Sequence, residues 1–178
     1  MSEGDGFDPR SVIKHFNFAL LIVPTEMFGE RATAFRRNFF RKVAESYMEY
    51  ELMPDYAFAE LEVKDIVEDV YGRILGDAAE IKEVDENEIH VVVHGCPISP
   101  FSMLKKYEAF TGVGELIRES IRRYPACPVV ALVEELCLLA GYDVEIEHEP
   151  EGECSMECVT RISWGYDVPK SRGKGESE

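Results

Sequence analysis

Residues 78–94, AAEIKEVDENEIHVVVH, contain two short runs of alternating apolar and polar residues on either side of a turn. Ile89, Val91 and Val93 share one face of the second run, which is the period of a β-strand with one buried side. Residues 85–87 supply the polar turn between the runs. This stretch predicts an antiparallel hairpin with strands over 78–84 and 88–94.

A second hairpin is predicted near the end of the chain. Residues 142–149, YDVEIEHE, alternate apolar and acidic residues, and residues 157–164, ECVTRISW, return after a turn at 151–153. Helical spacing predicts helices over about 10–22, 25–50, 58–75, 99–110, a segment ending at 124, and 127–141, with Thr25 as an N-cap after Pro24. With the short segment ending at 124 counted together with helix 99–110, these elements give the order α-α-α-β-β-α-α-β-β. The predicted fold class is therefore α+β, with a helical N-terminal half and then two hairpins forming an antiparallel sheet around two helices.

The 178 residues predict one domain over 10–164, with disordered tails at 1–9 and 165–178. The formal net charge of −16 argues against nucleic-acid binding, which needs a basic footprint. No apolar run reaches the length of a membrane span, and the first residues are polar and acidic rather than signal-like. We therefore expect a cytoplasmic protein without membrane contact, in a compartment that keeps thiols reduced.

The five cysteines are the strongest functional signal. Cys96 and Cys127 each precede a proline, Cys154 and Cys158 form a Cys-x-x-x-Cys pair, and three of these four positions lie at element boundaries. Four thiolates that converge suit a zinc ion or an iron–sulfur cluster, so these four are the predicted metal ligands. The alternative is that they are small buried hydrophobic residues or inert surface thiols. Cys137 lies within a helix and is interpreted as a core cysteine.

Other polar residues carry weaker predictions. His148 falls on the apolar face of its strand, where it could line a cofactor- or ligand-binding cavity. His94 lies two residues before Cys96, and strand periodicity places both on one side. In a hydrolase, Cys96 would be the nucleophile and His94 the acid or base. A basic group on the second helix is predicted to form an exposed face that could receive an anion: Arg36, Arg37, Arg41 and Lys42.

Two segments carry a resemblance to a known family: ACPVVALVEELCLLAGY, residues 126–142, and VEIEHEPEGECSMECVTRISW, residues 144–164. They resemble the 4-vinyl reductase domain, a hydrocarbon-binding module related in fold to TRAPP subunits. The resemblance implies a stand-alone domain that binds a small apolar ligand or a metal, senses ligands or redox state in archaeal relatives, and forms a homodimer. The segment HGCP, residues 94–97, is also similar to L-2-amino-thiazoline-4-carboxylic acid hydrolase-like proteins, which implies an enzyme.

Three functions remain open from the sequence. The leading hypothesis is a small-molecule- and metal-binding domain with zinc or an iron–sulfur cluster on the four cysteines. The second is a cysteine-dependent hydrolase of a small thiazoline or amide. The third is a structural subunit that dimerises through its amphipathic helices.

Overall fold

The computed structural model describes residues 9–53, 61–100, 103, 104, 107, 117, 124–151 and 157–165. The α+β prediction is confirmed. Three helices form the N-terminal half, a fourth lies between two strand pairs, and the four strands form one antiparallel sheet. The helices are α1 Pro9–Phe28, α2 Ala32–Tyr47, α3 Val63–Leu75 and α4 Pro128–Ala140; the strands are β1 Ala79–Asp85, β2 Glu88–His94, β3 Val144–Glu151 and β4 Glu157–Trp164.

The strand order in the sheet is β1-β2-β4-β3, so the two predicted hairpins meet through β2 and β4. Val93 pairs with Cys158, Val91 with Thr160, and Thr160 with His148 on β3. These residues alternate with solvent-facing ones, so they share the face of the sheet that turns towards the helices. The register therefore places two predicted site residues, Cys158 and His148, on the core side.

The main core lies between this face and helices α3 and α4. Its fully buried members include Val67 and Val70 of α3, Val133 and Leu136 of α4, and Ile162 of β4. Helix α2 packs on α4, and α1 packs on α2 as an outer layer. Among the described residues, no helix combines the length and apolar character needed to cross a membrane.

Two helix starts differ from the prediction. Helix α1 continues through Pro24 to Phe28, and the Thr25 hydroxyl donates to the Leu21 carbonyl at 2.8 Å instead of capping a new helix. The break comes at Gly29, whose φ of +55° suits glycine. Helix α3 begins at Val63 rather than near 58, since the Glu62 N–H donates to Asp65 at 3.0 Å and fixes the first turn.

Several predicted segments lie largely outside the described residues. Of the helices expected between 99 and 124, the structure describes Met103, Leu104, Tyr107 and Ile117, which are helical, and Ser99, Pro100 and Tyr124, which are not. Residues 1–8 and 166–178 of the predicted tails, the turn at 152–153 and Cys154 also lie outside. Residue 9, assigned to the first tail, instead begins α1.

The core predicts a contrast between two leucines on α4. Leu136 is fully buried, whereas Leu138 is 46% exposed. We expect Leu136→Ala to lower the free energy of unfolding by about 2–5 kcal/mol, because it removes buried methyl groups and leaves a cavity. Leu138→Ala is the matched control and should change it by less than about 1 kcal/mol. Urea unfolding of both variants measures the difference, and equal losses would contradict the described packing.

Candidate functional site

Three of the four predicted cysteine ligands come together at one end of the sheet. Cys96 follows β2, Cys127 precedes α4, and Cys158 lies on β4. All three pack against the same core cluster. They lie within electrostatic reach of one another, because charge on Cys96 and on Cys158 would raise the pKa of Cys127. The structure thus joins thiols that are up to 62 positions apart in the chain.

The two Cys-Pro turns present their sulfur atoms to backbone N–H groups in the same way. N–H groups of Ile98 and Ser99 act on Cys96, and those of Val129 and Val130 act on Cys127; each pair lowers the thiol pKa. Proline has no N–H, so in both turns the donors are the second and third residues after the cysteine. At Cys127 these N–H groups belong to the first turn of α4, where the helix itself offers them no backbone acceptor.

Burial nevertheless dominates the thiol electrostatics. Desolvation raises the pKa of Cys127 to about 12 and that of Cys158 to about 11, and it also raises the pKa of Cys96. The Lys14 ammonium on α1 opposes part of the rise at Cys96. Without a cation, the three groups are therefore neutral thiols near pH 7, because the desolvated charged form is disfavoured.

A chain of three polar side chains lies beside the thiols. The hydroxyl of Tyr71, on α3, donates to the Thr160 hydroxyl at 3.4 Å, and Thr160 lies 2.8 Å from His148 Nδ1. Burial lowers the pKa of His148 to about 4, so the ring is neutral at pH 7 and Nδ1 can accept the Thr160 proton. Burial also raises the pKa of Tyr71, and charge on Cys127, Cys158 or Cys96 would raise it further. The Tyr71 hydroxyl therefore lies within electrostatic reach of all three thiols.

The other predicted residues are placed differently. Cys137 is fully buried, which confirms its interpretation as a core cysteine, and Cys154 lies outside the described residues. His94 is exposed and its Nδ1 lies 3.2 Å from Glu157, whereas Cys96 packs on the core. Gly95, with a φ of +61°, turns the chain between them and ends the strand alternation. The predicted nucleophile and its predicted acid or base therefore differ in exposure, and the exposed His94 is paired with Glu157.

The basic group on α2 is only partly an exposed face. Arg37, Arg41 and Lys42 are exposed and pair with glutamates. Arg36 is 2% exposed, and its guanidinium donates to the Tyr124 carbonyl at 3.3 Å and to the Pro125 carbonyl. The expectation of one exposed patch is thus wrong for Arg36, because it lies on the side of α2 that packs against the turn before α4.

Tyr71 and Thr160 are site residues that the sequence analysis missed. Tyr71 falls on the apolar side of α3 and Thr160 alternates with apolar residues on β4, so both follow core periodicity. Only the strand register shows that Thr160 lies opposite His148, and no pattern in the sequence carries that information.

Within the described ranges, no three His, Cys, Asp or Glu side chains already form a group able to hold a metal ion. The four described cysteines are all free thiols. The three thiols at the sheet end are therefore neighbours without the spacing of a closed metal site. The predicted zinc or iron–sulfur cofactor stays a prediction.

Comparison with known proteins leaves the family open. No protein-family profile matches the chain, and no curated protein matches it. Solved structures similar to the chain include TRAPP subunit 3 from Naegleria fowleri covalently bound to palmitic acid, at 14% identity and a TM-score of 0.42, covering 86% of this chain and 82% of that one. An H-NOX protein from a study of heme distortion matches at 15% identity and a TM-score of 0.47, covering 97% and 80%. Likeness at this level carries no functional argument, and membership of the 4-vinyl reductase family stays a prediction.

Proposed function

We propose that this chain is a metal-binding domain that takes up one thiophilic ion, with zinc as the first candidate. Cys96, Cys127 and Cys158 are the proposed ligands, and Cys154 is the proposed fourth. The observation that carries the proposal is that three thiols from separate parts of the chain pack against one core cluster and lie within electrostatic reach of one another and of Tyr71. Thiolate sulfur is the donor that zinc and iron–sulfur clusters prefer in structural sites.

Binding has to bring the thiols closer together than they lie in the structure. A bound cation would draw the sulfur atoms together, because it replaces the thiol protons and attracts the resulting thiolates. The N–H groups at the two Cys-Pro turns then stabilise the ligated sulfurs, and the Tyr71 hydroxyl can donate to one of them. The ion would connect β2, β4 and α4, so its binding would stabilise this end of the sheet against unfolding.

Cobalt substitution tests the coordination. Co²⁺ added to metal-free protein under reducing conditions should bind near one equivalent per chain and give an intense thiolate-to-cobalt absorption band. Added Zn²⁺ should remove the band. Cobalt bound without that band, or no binding of either ion, would overturn the proposal. Iron with stoichiometric sulfide in protein purified without oxygen would replace zinc by an iron–sulfur cluster on the same thiols.

The hydrolase alternative has less support. Burial raises the pKa of Cys96, so this thiol is not a ready thiolate, and His94 already has Glu157 as a partner. Thiols with raised pKa values also react slowly with oxidants until a change in the site exposes them. Redox sensing, small-ligand sensing and hydrolysis stay predictions for this chain.

We also propose that the chain self-associates through α1. An apolar stripe runs along the exposed side of this 20-residue helix. Its members are 47–69% exposed: Val12, Phe16, Val23 and Met27. An antiparallel pair of α1 helices would cover both stripes with a twofold axis between them.

The stripe predicts the effect of a charge at its centre. Phe16→Glu should convert a dimer to a monomer, because the new carboxylate would be buried in the pair without a partner. Ser11→Glu adds the same charge at an exposed position off the stripe and should leave the dimer intact. Size-exclusion chromatography with light scattering gives the mass of each. A monomeric unmodified protein, or a dimer that survives Phe16→Glu, would contradict the assignment.

A further inference from the structure

Each Cys-Pro turn is held by one buried polar side chain from the α1–α2 pair. Asn17 of α1 donates from Nδ2 to the Ile98 carbonyl at 3.1 Å, two residues after Cys96. Arg36 of α2 donates to the Tyr124 and Pro125 carbonyls, which immediately precede Ala126 and Cys127. The two turns that carry thiols are therefore tied to the same pair of outer helices.

These contacts are built into the interior. Asn17 is 8% exposed and Arg36 is 2% exposed, and both line one small cavity beside the start of α4. The Arg36 guanidinium also lies over the Tyr124 ring, 5.4 Å from its centroid. Desolvation lowers the pKa of Arg36 to about 10, which shows that its burial opposes the charge. An apolar residue of similar size would fill the space without that cost.

Arg36 and its neighbour Arg37 bind different groups. Arg37 also lies over the Tyr124 ring, at 5.3 Å, but its side chain is 53% exposed and pairs with Glu134 and Glu135. Arg37 thus contacts the helix surface, whereas Arg36 contacts the backbone of the turn. Comparing variants of the two arginines therefore separates the effect of contact with the Tyr124 ring from the effect of the hydrogen bonds to the turn before α4.

We infer that Asn17 and Arg36 are positioning residues that set the separation of the Cys96 and Cys127 sulfurs. This inference rests on the proposed metal site. Neither side chain would contact the ion. Each fixes the carbonyl positions of one Cys-Pro turn, and that turn orients the cysteine sulfur and the N–H donors. Partners of this kind, once removed, weaken metal affinity about 10- to 100-fold.

Zinc affinity, measured by competition with a chromophoric chelator, gives the first test. Arg36→Met and Asn17→Leu should each weaken zinc binding by about 10- to 100-fold. The matched control Arg37→Met should stay within about twofold, as for a surface ion pair. Should Arg36→Met fail to fold, Arg36→Lys keeps the cation but lacks the fork that reaches two carbonyls. Wild-type affinity in both Asn17→Leu and the folded Arg36 variant would overturn the inference.

A second readout uses the metal-free protein. Iodoacetamide labelling, followed cysteine by cysteine by mass spectrometry, should accelerate severalfold at Cys127 in Arg36→Met and at Cys96 in Asn17→Leu. Cys137, buried in α4, should keep its rate in both. Equal acceleration at all three cysteines would indicate general destabilisation and refute positioning. This crossed pattern does not require metal, so it distinguishes failure of the inference from failure of the proposed metal site.

Discussion

Cys127→Ser should abolish stoichiometric zinc binding while the protein stays folded. Cys127 is the N-cap of α4 and lies within electrostatic reach of both Cys96 and Cys158. Serine removes the thiolate that a soft metal needs, yet it is itself a favoured N-cap residue. The start of α4 should therefore be kept or strengthened, and loss of metal cannot be attributed to loss of the helix.

The matched control for this substitution is Cys137→Ala. Cys137 lies ten positions further along α4, is fully buried, and has a pKa that burial raises to about 12. It should keep one zinc per chain, at the cost of a small core cavity. Metal analysis after dialysis, together with far-ultraviolet circular dichroism, separates binding from folding. Full zinc in Cys127→Ser would remove this thiol from the site.

Zinc affinity should rise steeply with pH. Burial holds the pKa of Cys127 near about 12 and that of Cys158 near about 11, and it raises the pKa of Cys96, so all three are protonated near neutrality. Zinc has to displace these protons, and each one makes the apparent affinity increase about tenfold per pH unit below the thiol pKa. These three thiols alone therefore predict about a thousandfold increase per unit between about pH 6 and about pH 8, and a proton released by the proposed fourth ligand Cys154 would add to it.

Competition titrations against a chelator of known pH dependence measure this slope. Proton release can be counted independently by calorimetry in buffers of different ionisation enthalpy. Cys158→Ser should bind more weakly and release one proton fewer. An affinity that does not change with pH would show that buried thiols are not the ligands.

The sequence predicted those elements of the fold that a single residue pattern determines. Both hairpins followed from period-two alternation, and the register confirms that Ile89, Val91 and Val93 face the core. Pro24 misled the prediction of the first two helices. Its missing N–H costs α1 one bond, but the helix continues and the Thr25 hydroxyl bonds to the preceding turn.

The site was accessible only in part. The Cys-Pro steps marked Cys96 and Cys127 because proline and cysteine together stand at element boundaries. Arg36, by contrast, looked like its exposed neighbours, since helical position alone does not reveal which turn will pack against it. Tyr71 and Thr160 follow core periodicity, and their hydroxyls meet only through the tertiary packing of α3 on β4.

The metal content of the purified protein tests the central claim most directly. Protein prepared without oxygen or chelators, with zinc, iron and sulfide measured per chain, should contain close to one zinc and no free thiol among Cys96, Cys127 and Cys158. Iron with sulfide would keep the site and change the cofactor. A protein that holds neither metal, even after zinc is added under reducing conditions, would contradict the account.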